Sequence, residues 1–101
     1  MIVVKVTYTV KEEYIDTNRQ MIEKFLADFK KLDDSRFLYS VFQADDADTF
    51  VHLSQYKDQE IQQILLNTRS FLHFQAQRDE NLVSKPRIEL LNYIGASREV
   101  L

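Results

Sequence analysis

The sequence predicts an α+β domain whose elements run β-α-β-β-α-β. Three observations predict it. Stretches of alternating β-branched and aromatic residues recur along the chain, beginning with residues 2–10. Two other stretches place apolar residues at i, i+3 and i+4 spacing. The second and third alternating stretches are separated only by the polar turn Asp45-Asp46-Ala47-Asp48, which makes them an antiparallel hairpin. This order is the split βαβ, or ferredoxin-like, arrangement: a four-stranded antiparallel sheet with helices on one face.

Each element has its own signal. In residues 2–10, Val4, Val6, Tyr8 and Val10 point one way, and Val3, Lys5, Thr7 and Thr9 the other. Residues 12–32 carry the stripe Ile15, Ile22, Phe25, Leu26, Phe29 and Leu32. Glu12 and Glu13 in the first turn and Lys30 and Lys31 in the last complement the helix dipole. Residues 36–44 and 49–56 are the hairpin strands, and Phe50, His52, Ser54 and Tyr56 share one face of the second. Asp58 is placed to cap a helical region with the stripe Ile61, Ile64 and Leu65. Asn67-Thr68 is its weak point, where Thr68 or Ser70 can cap a continuation. In that continuation Phe71, Phe74, Gln75 and Arg78 share a face that starts aromatic and ends polar. Pro86 opens the last strand, 87–94, at a position where a missing N–H is tolerated. There Ile88, Leu90, Asn92 and Ile94 alternate with Arg87, Glu89, Leu91 and Tyr93. Gly95 ends it, and the tail 96–101 is either loose or reaches a neighbour.

Composition narrows the chemistry. The 101 residues fit one domain spanning 1–101. A single glycine excludes P-loop and dinucleotide-binding turns, and the absence of cysteine excludes thiolate, zinc-finger and iron–sulfur chemistry. With 13 Lys+Arg against 16 Asp+Glu the net charge is −3, which argues against a nucleic-acid partner. No apolar run is long enough to cross a membrane. The start lacks the pattern of a signal peptide, so a cytoplasmic location is expected. No cofactor and no metal are expected; Asp45, Asp46 and Asp48 lack the glycine and distal Glu of a calcium loop and read as a solvated turn. The strands are apolar on both faces, although helices cover only one. A second sheet from an identical chain would cover the other, so a homodimer through the sheet face is expected.

Several stretches look like a known family. They are Val10-Lys11-Glu12-Glu13-Tyr14-Ile15-Asp16, Phe50-Val51 with Tyr56-Lys57-Asp58, His73-Phe74, and Pro86-Arg87-Ile88-Glu89-Leu90-Leu91. In this order and spacing the chain resembles the dimeric α+β-barrel superfamily, specifically its antibiotic-biosynthesis-monooxygenase-like domains. The resemblance implies a two-fold dimer whose sheets pack face to face and a pocket between each sheet and its helices. It implies chemistry among cofactor-free oxygenases of polyketide quinols, haem-degrading oxygenases and enzymes acting on small signal molecules. The chain departs from the family's best-known sites. It has no Trp, Ser54 stands where a strand Glu is usual, Arg78 lies four residues after Phe74 where haem degraders carry His, and Asp34-Ser35 replaces a Pro-Gly.

The candidate site residues follow from chemistry. His52 and His73 are the candidate catalytic groups, since an imidazole titrates near neutrality and can act as a general base. The competing readings are a half-buried structural His52 and a His73 that caps a helical piece. Their spacing does not suggest shared metal ligation. Tyr8, Tyr39, Ser54, Tyr56, Phe74 and Arg78 are the candidate ligand-pocket residues. Tyrosines suit a small aromatic ligand and can donate to an oxyanion, but they suit a dimer interface as well. Arg78 either holds an anion or pairs with Asp79 or Glu80. The leading functional expectation is a pocket protein resembling cofactor-independent monooxygenases of small aromatic or carbonyl compounds. The alternative is a non-catalytic ligand-binding or structural homodimer that has lost the family's catalytic residues. Haem oxidation ranks below both.

Overall fold

The computed structural model describes residues 1–101. The strands are β1 (Ile2–Thr9), β2 (Phe37–Gln43), β3 (Thr49–Tyr56) and β4 (Arg87–Leu91). The helices are α1 (Ile15–Phe29), α2 (Gln59–Leu66) and α3 (Arg69–Asp79). The sheet order is β2-β3-β1-β4, with every neighbouring pair antiparallel, as the β-α-β-β-α-β order requires.

Register places the side chains. Val6 lies opposite His52 and Ile88, Val4 opposite Ser54 and Leu90, and Tyr39 opposite Ser54. Because side chains alternate along a strand, these residues share the face that the helices cover. On that face an aromatic core forms around Phe25. Its ring centroid lies 5.2 Å from that of Phe29, 5.1 Å from Phe71 and 4.9 Å from Phe74. Ser70 Oγ donates to Asp28 Oδ2 at 2.6 Å and ties α3 to α1.

Local signals placed most boundaries, and pairing or packing moved the rest. Asp58 caps α2, its Oδ1 accepting from Ile61 N at 3.0 Å. The second helical region breaks at Asn67-Thr68, and Thr68 is the N-cap of α3. Its hydroxyl gives no cap bond there; it donates back to Ile64 O at 3.0 Å. The first helix is shorter than the expected 12–32. Residues 12–14 form one 3₁₀ turn, and Lys31 and Leu32 close i−3 bonds to Asp28 and Phe29 past the end of α1. The last strand stops at Leu91, short of the expected Ile94. Its only partner is β1, and Val3–Leu91 is the final pair, so alternation beyond it has almost no strand left to pair with. In the hairpin turn Ala47 takes φ 69° without being glycine. In the tail, Val100 lines a groove between α1 and β2.

Candidate functional site

The site is built on β3, where period-two alternation sends His52, Ser54 and Tyr56 under the helices. His52 is 2% exposed and both ring nitrogens are engaged. Tyr8 Oη lies 2.7 Å from Nε2, and Tyr39 Oη lies 2.7 Å from Nδ1. Asn18, on α1, donates through Nδ2 to Tyr8 Oη at 2.9 Å. The four side chains form one line of hydrogen bonds across the core, from α1 through β1 and β3 to β2.

Electrostatics sets the direction of that line. Burial, helped by the Arg78 guanidinium, pushes the His52 pKa down to about 3 from an ordinary 6.5. The imidazole is therefore neutral near pH 7, with one N–H and one lone pair. Tyr8 accepts from Asn18, so its own proton goes to Nε2; otherwise that proton is buried without an acceptor. Nδ1 then carries the ring proton and donates it to Tyr39 Oη. The Tyr39 hydroxyl proton is left free for a group in the adjoining cavity. Burial also raises the phenols of Tyr8, Tyr39 and Tyr56 above their ordinary range, while Arg78 opposes the rise at Tyr8 and Tyr39. All three tyrosines are neutral donors near pH 7. Asn18 Oδ1 is buried with no partner, the single orphaned side-chain atom of its kind. Turning the amide over would strand its two N–H donors, so the carbonyl is the cheaper group to leave unpaired.

The cavity beside this line has a volume of about 90 Å³ and lies between the sheet, α2 and α3. Tyr39, His52, Ser54, Tyr56 and Arg78 line it together. Gln62 and Gln75 add amides, Val4, Val6, Leu66 and Phe71 complete the wall, and no carboxylate takes part. Arg78 is the one cation. Its Nε and Nη2 bond Asp79 Oδ1 at 3.1 and 2.9 Å, which is the pairing the sequence offers as one of two readings of Arg78. Its guanidinium also sits 5.1 Å from the Tyr8 ring centroid and 5.4 Å from that of Phe74.

Other expected site residues stand elsewhere. Tyr8 and Phe74 form the layer behind His52, and Phe74 stacks on the imidazole at 5.5 Å. His73 is exposed on the outer side of α3 and does not join the cavity. Consecutive helix residues are about 100° apart, so burying Phe71, Phe74 and Arg78 turns His73 away. His73, expected as a candidate catalytic group, is thus a surface residue. Asn18 was missed, although it fills the gap between Ile15 and Ile22 in the α1 stripe, and a polar residue at a stripe position is the signal that identifies it. Gln75 was legible on the α3 face; nothing in the sequence singles out Gln62. No three His, Asp or Glu side chains gather where a metal ion could bind. No helix is long and apolar enough to cross a membrane.

A larger groove of about 610 Å³ lies between α1 and the edge strand β2, lined by Leu26, Phe29, Phe37, Leu38, Tyr39 and Val100 with Lys30 and Asp34. It includes Lys30 and Asp34 but neither His52 nor Arg78, both of which line the smaller cavity.

No protein-family model and no curated protein matches this chain. Solved structures do. One described as an antibiotic biosynthesis monooxygenase is 16% identical, covers 94% of this chain and 100% of its own, and gives a TM-score of 0.79. A protein named as a candidate antibiotic biosynthesis monooxygenase from Nitrosomonas europaea is 14% identical over the same shares, with a TM-score of 0.81. Rv0793 from Mycobacterium tuberculosis is 12% identical, covers 96% of this chain and 98% of its own, and gives 0.79. At these identities the likeness is one of architecture: the chain has the α+β fold of the antibiotic-biosynthesis-monooxygenase-like proteins.

Proposed function

We propose that the chain is a small-molecule pocket protein that handles carbonyl or aromatic compounds in the manner of cofactor-independent monooxygenases. The observation that carries this reading is the Asn18–Tyr8–His52–Tyr39 line, which ends with a free hydroxyl proton in a cavity whose only charge is Arg78. A ligand carbonyl would accept from Tyr39, and Arg78 would stabilise the enolate or phenolate that forms when the ligand loses a proton to solvent. His52 acts through Tyr39 as a positioning residue, because both its nitrogens are occupied. With an activated CH₂ group, the carbanion adds O₂ and takes up a proton to give a hydroperoxide. Loss of water then leaves a carbonyl, one oxygen of O₂ being in the product and the other in water. Copies of the chain would pair through the uncovered sheet face, at a mass twice the 12.0 kDa of one chain.

Oxygen uptake with anthrone tests the enzyme. Tyr39→Phe and Arg78→Met are each expected to lower kcat/KM by about 10²-fold, as removal of one oxyanion donor does elsewhere. Unchanged rates in both variants would refute the assignment. A second reading, a non-catalytic ligand-binding homodimer, is favoured by the lack of any cavity side chain free to act as base. Carbonyl-ligand binding without oxygen uptake would select it.

A further inference from the structure

We propose that the ligand is amphipathic, with its oxygen-bearing end in the polar cavity and its apolar body along β4, on Ile88 and Leu90. The proposal rests on the cavity being the binding site described above, and it follows from size, polarity and exposure. A benzene-sized guest needs roughly 150 Å³. The cavity holds about 90 Å³, so any larger compound projects from it. The polar lining lies on β2, β3, α2 and α3, whereas β1 contributes only Val4 and Val6. These two pair across the strands with Leu90 and Ile88, on the same face of the sheet. Elsewhere that face is packed under helices. Ile88 and Leu90 are instead 69% and 79% exposed. The apolar wall of the cavity thus continues without interruption onto an open apolar shelf.

Strand spacing sets the length the shelf can hold. From β3 through β1 to β4 is two inter-strand steps, about 10 Å. The matching ligand class is a carbonyl compound with a chain or flat ring system of about that length, not a compact hydrophilic acid.

A homologous ketone series tests this. Dissociation constants of 2-butanone, 2-heptanone and 2-undecanone would be measured by titration of the full chain. The wild type should bind about two- to fourfold more tightly per methylene that reaches the shelf. Ile88→Glu and Leu90→Glu should flatten that gradient and leave 2-butanone unchanged. Both positions are exposed, so neither substitution threatens folding. Tyr39→Phe should weaken every ketone by one common factor, which separates failure of the cavity from failure of the shelf. Two results would overturn the proposal: no ketone binding, which removes the cavity reading with it, or a gradient that survives both Glu substitutions, which removes the shelf alone. In the second case, Glu variants that also halve the mass by light scattering would make the shelf a protein interface instead.

Discussion

On the helix face of the sheet, Tyr8, Phe50, His52 and Tyr56 are buried almost completely, and each polar atom of His52 has a partner. On the opposite face Leu38 and Phe42 remain 39% and 56% exposed, interleaved with Ser40, Lys5 and Glu89. Both faces contain large apolar residues, so composition does not separate them. What separates them is that a polar group under the helices must find a partner inside the protein, whereas one on the open face can use water. The helix face is therefore the place where a single polar side chain carries structural cost and chemical consequence together.

The largest test of that contrast is Phe25→Ala, which empties the centre of the aromatic cluster and should cost about 3–5 kcal/mol in urea unfolding. A cost near zero would mean that the cluster is not the core. Next is His52→Leu, which strands the Tyr8 and Tyr39 hydroxyls and should cost roughly 2–4 kcal/mol. Adding Tyr39→Phe to it should recover part of that loss, since the Tyr39 hydroxyl is then no longer left without its histidine partner, while the Tyr8 hydroxyl keeps Asn18.

The pH dependence sharpens the same point. The folded pKa of His52, about 3, lies below the 6.5 of the unfolded chain, so the unfolded state binds the proton more readily. The contribution is complete above pH 6.5 and is lost as pH falls from there toward 3, by at most about 1.4 kcal/mol per unit. The stability difference between wild type and His52→Gln should show this slope from pH 6 to 4. The lowered carboxyls of Asp28, Asp33 and Asp58 are common to both proteins and cancel. A flat difference would contradict the burial of a neutral imidazole. The smallest expected effect is on the open face: Phe42→Glu, at a position 56% exposed, should change chain stability by less than about 0.5 kcal/mol. It should nevertheless abolish the proposed dimer by light scattering.

Much of this was legible in the residues. Alternation in β1 and β3 identified the buried face, and the α3 face of Phe71, Phe74, Gln75 and Arg78 was read correctly. His73 was not: it matches a position of the family the chain resembles, yet it adjoins the buried Phe74, and adjacent helix positions face different ways. The end of β4 was overextended because alternation continues past Leu91 while the partner strand does not.

Periodicity, capping and turn chemistry are local, and the sequence by itself determined those: element order, strand faces, the Asp58 cap and the break at Asn67-Thr68. Only the tertiary structure decided that Asn18, Tyr8, His52 and Tyr39 form one line, because its neighbouring members are separated by 10, 44 and 13 positions along the chain. It also decided that His52 is neutral and fully occupied. A pKa depends on what surrounds a group in three dimensions, and an isolated histidine in a strand carries no record of the two tyrosines that will meet its ring.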